Sequence, residues 1–150
     1  MDHAATIEQF YAAFASRDGE AMAACYAPDA RFSDPAFGEL SGEEAGDMWR
    51  MLTARAADLE IDLREHDDRS AHWIARYTFA QTGRPVVNDV RATFRFADDG
   101  RFAEHRDAFS FWRWSRQALG PAGLALGWTP LLRAQVRGRA RGQLAAFRAR

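Results

Sequence analysis

From residue 59 onward the apolar side chains fall on every second position, and that period leaves few architectures open to the chain. Leu59, Ile61 and Leu63 alternate with polar neighbours, followed by Trp73, Ala75, Tyr77 and Phe79, then Val90, Ala92, Phe94 and Phe96. A fourth run holds Phe102 and then His105, Asp107, Phe109 and Phe111. Successive strand residues point to opposite faces, so each run describes a strand with one buried face. Asp67-Asp68, Thr82-Gly83-Arg84-Pro85 and Asp98-Asp99-Gly100 supply turn chemistry between the runs. Before residue 59 the period is helical. Ile7, Phe10, Tyr11 and Phe14 share one face of a first helix that Asp2 can cap, and Asp18-Gly19 breaks it. A short second helix is expected to carry Met22, Cys25 and Tyr26 up to Pro28, with a brief strand around Phe32 after it. Ser41-Gly42-Glu43-Glu44 is a capping box opening a helix with Ala45, Met48, Trp49 and Leu52 on one face. Helices first and four consecutive hairpin-linked strands afterwards predict an α+β fold, a curved antiparallel sheet wrapped around N-terminal helices.

With 150 residues, 47% of them hydrophobic, the chain is long enough for one domain with a sizeable core. Cys25 is the only cysteine, which excludes an internal disulfide and suits a small core residue. No secretory leader is read at the N-terminus and no apolar run approaches the roughly 20 residues of a membrane span, so a cytoplasmic location is expected. A net charge of −1 hides an asymmetry. Residues 1–107 hold all 21 acids and twelve arginines, whereas residues 108–150 hold eight arginines and no acid.

Asp34-Pro35 is the strongest candidate for chemistry. Proline has no ladder donor and a fixed φ, so it ends the segment Ala30–Ser33 and leaves a carboxylate at the rim of whatever the sheet and helices enclose. The same pair reads equally well as a turn former. His105 and Asp107 lie two apart and so share a face, where an imidazole beside carboxylates suits acid–base work. A satisfied structural hydrogen bond is the competing reading. A metal held by Asp34, His105 and Asp107 ranks last, because the ligands are scattered. No phosphate loop, dinucleotide fingerprint or His-Glu-x-x-His motif occurs, and neither cofactor nor metal is expected.

The helix order, Tyr26-Ala27-Pro28-Asp29-Ala30, Asp34-Pro35, the Gly42–Trp49 helix start and Asp99-Gly100-Arg101-Phe102 with Glu104-His105-Arg106-Asp107 together resemble the nuclear transport factor 2-like superfamily, which includes polyketide cyclases and ketosteroid isomerase. The resemblance covers residues 3–112 and implies a cone whose concave sheet and helices enclose an apolar pocket. Residues 113–150 form an additional basic helical extension. By the resemblance, Asp34, His105 and Asp107 are the catalytic candidates, and Phe10, Tyr26, Trp49, Trp73, Tyr77, Phe79, Asn88 and Phe109 line a site for a hydrophobic small molecule. Phe10 and Ala92 stand where the isomerase carries its two enolate-stabilising donors, and neither can donate, which argues against steroid isomerase activity. An epoxide hydrolase relay requires an arginine near the acids, but Arg106 alternates away from Asp107. Cofactor-free isomerisation, cyclisation or hydration is therefore the leading expectation, with a non-catalytic binding or protein-interaction module as the alternative. A homodimer through the outer face of the sheet is implied by the resemblance.

The extension carries its own pattern. Thr129-Pro130 reads as an N-cap with proline at the first helical position, and Leu132, Val136, Ala140, Leu144 and Phe147 form a stripe. Arg133, Arg137, Arg139, Arg141 and Arg148 are expected outside it. Packing against the acidic body or across a dimer partner is the first expectation. Contact with anionic lipid through Leu124, Leu126, Trp128 and the arginines ranks second, and nucleic acid last.

Overall fold

The computed structural model describes residues 2–150. Helix α1 (His3–Ala15) starts where the Asp2 carboxylate accepts the Ala5 N–H, and it buries Ile7, Phe10, Tyr11 and Phe14. Asp18 likewise caps α2 (Gly19–Ala23) by accepting from Ala21. That helix ends before Tyr26, which instead opens strand β1 (Tyr26–Asp34). The expected helical position of Tyr26 is corrected by Pro28, which forces extended backbone on the residue before it. Pairing of β1 with β6 slips between Tyr26 and Arg31, so Pro28 sits in a stretch of strand that asks no ladder donor of it. Strand β2 (Gly38–Ser41) follows after a turn with Gly38 at φ +75°, and helix α3 (Gly42–Arg55) carries the reciprocal Ser41–Glu44 capping box.

Strands β3 (Glu60–His66), β4 (Ser70–Phe79), β5 (Arg84–Phe96) and β6 (Phe102–Ala108) complete a six-stranded sheet of order β2-β1-β6-β5-β4-β3. Neighbours are antiparallel except β1 and β6, which run parallel. Where Arg95 pairs with Glu104 but Phe96 with Phe102, β6 carries one extra residue, Ala103. That bulge explains how Phe102 and His105, an odd number apart, are both buried on the concave face. Phe109 and Phe111 do not continue the strand. Ser110 accepts the Arg113 N–H and starts helix α4 (Phe111–Leu119).

Helix α5 (Pro121–Leu126) leads to α6 (Pro130–Arg148), which begins as Thr129-Pro130 predicts, with the Thr129 hydroxyl accepting the Leu132 N–H. The sheet curves around α1 and α3, and one apolar core joins them through Phe10, Phe14, Met48, Trp49, Phe94 and Phe102. Helix α6 folds back over this body. Its Leu144 is buried, Arg141 donates to the carbonyls of Phe37 and Glu39, and Arg148 faces Glu43, Glu44 and Asp47. Among the described residues no helix is long and apolar enough to cross a membrane.

Candidate active site

A cavity of about 750 Å³ opens between the concave sheet, α3 and α6. Its walls are mainly aromatic and aliphatic, with Arg55, Asn88, Arg139 and three glutamines among them, and Asp34 and Asp107 are its two carboxylates. Strand pairing explains why they meet. Phe32 lies opposite His105 and Ser33 opposite Arg106. Asp34 and Asp107, each two residues further along its strand, keep the parity of Phe32 and His105, and the Asp107 charge acts on the Asp34 carboxyl.

Asp34 serves two roles at once. Its Oδ1 accepts the N–H groups of Ala36 (2.9 Å) and Phe37 (2.6 Å), the turn expected of an aspartate before proline. The carboxyl nevertheless lies among apolar walls, and burial pushes its pKa up to about 7. The Phe37 N–H opposes that rise and the Asp107 charge adds to it.

Asp107 is held from behind by a directed chain of hydrogen bonds. An indole N–H can only donate, so the Tyr26 oxygen accepts from Trp49 (2.8 Å) and turns its own proton to His105 Nδ1 (2.7 Å). With Nδ1 accepting, the imidazole proton is on Nε2 and is donated to Asp107 Oδ1 at 2.9 Å. Burial holds the Tyr26 phenol well above its usual pKa, so it keeps the proton this chain requires. The imidazole is boxed by Phe10, Phe32, Phe94 and Phe102. Both of its nitrogens are engaged, which leaves none for a metal. His105, Tyr26 and Phe10 are therefore packed in the core behind the wall, while Trp49, Trp73, Tyr77, Phe79, Asn88 and Phe109 line the cavity together with the two aspartates.

Tyr77 accepts the Trp114 indole N–H at 2.8 Å, which leaves its own O–H free to donate into the cavity. Burial raises its pKa to about 12, and the Asp34 charge adds to the rise. Two further buried polar atoms, Tyr11 Oη and Trp73 Nε1, have no hydrogen-bond partner among the described residues. Arg106 points outward to Glu104 and takes no part in the site.

The sequence pattern did not disclose Trp114 or the contribution of α6. Leu132, Gln135, Val136, Arg139, Ala140 and Gln143 form the roof of the cavity. Their spacing of three and four was legible in the sequence, but the surface that the stripe covers was not. Arg139 is exposed as expected and reaches the rim of the cavity, where it donates to Gln81 Oε1.

A family model for a SnoaL-like domain matches residues 7–105. A search of curated proteins returns no match. Among solved structures, the fold is similar to a protein of Catenulispora acidiphila with a ketosteroid isomerase-like fold in complex with trimethylamine (17% identity, 83% of this chain and 97% of that one, TM-score 0.64). It is also similar to an LEH-like epoxide hydrolase of M. tuberculosis (19%, 83% and 95%, TM-score 0.63). A third is IdmH of Streptomyces antibioticus, provisionally assigned as a polyketide cyclase (24%, 84% and 100%, TM-score 0.60).

Proposed function

This chain belongs to the SnoaL-like domain family, and on that premise we propose that it binds a hydrophobic small molecule in the roofed cavity and moves protons on it without a cofactor. The observation that carries the reading is the pair of neighbouring carboxylates in an apolar cavity, one of them poised near pH 7. Two like charges side by side resist joint ionisation, so one holds a proton while the other is free to take one. In this reading Asp107, oriented by His105, removes a proton from a carbon beside a carbonyl. The Tyr77 O–H stabilises the oxygen on which negative charge develops. Asp34 in its acid form then delivers a proton elsewhere on the molecule and completes an isomerisation. If the enolate carbon instead attacks a second carbonyl of the same molecule, Asp34 protonates the new alkoxide and the product is a ring. His105 acts through Asp107 and is a positioning residue.

A thermal-shift screen against steroids, terpenoid epoxides, polyketide-like aromatics and fatty acids tests the binding half. A true ligand at one hundred times its dissociation constant stabilises the fold by about 2.7 kcal/mol. Turnover of the best ligand is then expected to fall by about 100-fold or more in Asp34→Asn and in Asp107→Asn, with binding retained. Undiminished turnover in both variants removes the carboxylates from the chemistry. A flat screen removes the pocket reading altogether.

A further inference from the structure

Among the described residues five large hydrophobic side chains are strongly exposed, and four of them fall within eight residues at the corner between α5 and α6. Leu124 is 55%, Leu126 51%, Trp128 70% and Leu131 71% exposed. Two arginines lie near this corner. The Trp112 indole donates to the Leu124 carbonyl, and the Arg116 guanidinium lies 4.9 Å from the Trp112 ring, which brings that charge beside Leu124. Arg133, two residues past Leu131, lies over Phe111 at 5.4 Å.

The charge of the extension is compensated unevenly, with Arg137 near Asp34 and Arg141 near Glu44. Of its eight arginines only Arg148 is ion-paired among the described residues, with Glu43, Glu44 and Asp47. The expected attraction between acidic body and basic tail is thus satisfied at one end of α6, and the cations around the α5–α6 corner are left without carboxylates.

We propose that the α5–α6 corner docks this protein on an anionic lipid surface, with Trp128 and Leu131 entering the interfacial layer and Arg116 and Arg133 meeting the headgroups. Exposed aromatic and aliphatic side chains on an extension whose charged side chains are all arginines have the two complements they need at such a surface, apolar acyl chains below and anionic charge above. A second copy of the chain supplies only the first. A two-fold contact centred on this corner sets arginine against arginine, since residues 108–150 contain no acid. A nucleic acid backbone matches the arginines but gives Leu124, Leu126 and Leu131 nothing to bury against. Docking here also sets the first turns of the cavity roof, with Leu132 and Val136, at the place where apolar small molecules partition.

Flotation of the full chain with vesicles tests the proposal. The protein is expected to float with vesicles of equal parts phosphatidylglycerol and phosphatidylcholine, to stay behind with phosphatidylcholine alone, and to dissociate as salt is raised. The pair Trp128→Ser and Leu131→Gln, and separately the pair Arg116→Ser and Arg133→Ser, are each expected to weaken binding at least about tenfold. Trp128 and Leu131 are exposed, so the melting temperature of the apolar pair should match the wild type. The arginine pair loses two cation–π contacts, and its melting temperature should fall by only a few degrees. Absence of binding to the anionic vesicles, equal binding to neutral ones, or binding that both variants retain overturns the proposal. So does self-association abolished by the apolar pair in a protein that ignores vesicles, which assigns the corner to a second copy. Retention on RNA by the wild type and the apolar pair alike, again with vesicles ignored, assigns the arginines to nucleic acid and overturns it equally.

Discussion

Asp34 shows how one side chain comes to carry both a local and a global role. Its Oδ1 is committed to the Ala36 and Phe37 amides, and the apolar cavity around the carboxyl raises its pKa to about 7. In the unfolded chain the same group ionises near the ordinary carboxylate value of about 4. Folding therefore favours the protonated form. The contribution of Asp34 to stability is complete below the unfolded value and is lost as the pH rises through about 7. In Asp34→Asn the side-chain carbonyl still accepts the turn amides, and the titration is gone. Chemical denaturation from pH 4 to 8 is expected to show the variant gaining on the wild type by on the order of 2–4 kcal/mol. A constant difference across that range means that the carboxyl is not desolvated in solution. The turn role was legible because Pro35 announces it. The partners of His105 were not, because Tyr26 is 79 residues away along the chain and Trp49 joins through a third element.

At the scale of elements, α6 is the part whose placement depends on few contacts. Arg141 anchors it to the β1–β2 hairpin through the carbonyls of Phe37 (3.0 Å) in the turn and Glu39 (2.8 Å) in β2, and Leu144 is its one buried side chain. The ion pairs of Arg148 add little, since half-exposed pairs are worth at most about 1 kcal/mol. Charge-assisted bonds such as those of Arg141 are worth about 1.5–3 kcal/mol when buried and less at a surface. In Arg141→Ala, hydrogen exchange is expected to speed up along residues 130–148 by about tenfold, with β4 and β5 unchanged. Exchange that rises equally in the sheet means that α6 opens only with global unfolding. The bulge at Ala103 belongs to this scale too. A strict period of two cannot bury both Phe102 and His105, and the break in parity in the sequence was the trace of that extra residue.

For the whole molecule the decisive property is the separation of charge. With a sequence pI near 6.4 the chain is net negative at pH 7.5, yet its last 43 residues carry eight arginines and no acid. A protein with evenly mixed charge and this pI passes through a cation exchanger at that pH. This one is expected to be retained and released by moderate salt, because the resin reads the basic patch rather than the net charge. Passage without retention indicates that the body's acids neutralise the extension more fully than Arg148 alone achieves.

The amino-acid sequence by itself determined the elements and their faces: the helical and two-residue periods, the caps at Asp2, Ser41 and Thr129, and the stop at Asp34-Pro35. These depend on interactions within a few residues, whose chemistry is written in adjacent letters. Only the tertiary structure decided that β1 runs parallel to β6 and brings Asp34 and Asp107 to one cavity, that His105 stands behind Asp107, and that α6 roofs the cavity. Each of these joins residues far apart in the chain, and their meeting is set by sheet order and by the packing of whole faces, which no local pattern encodes.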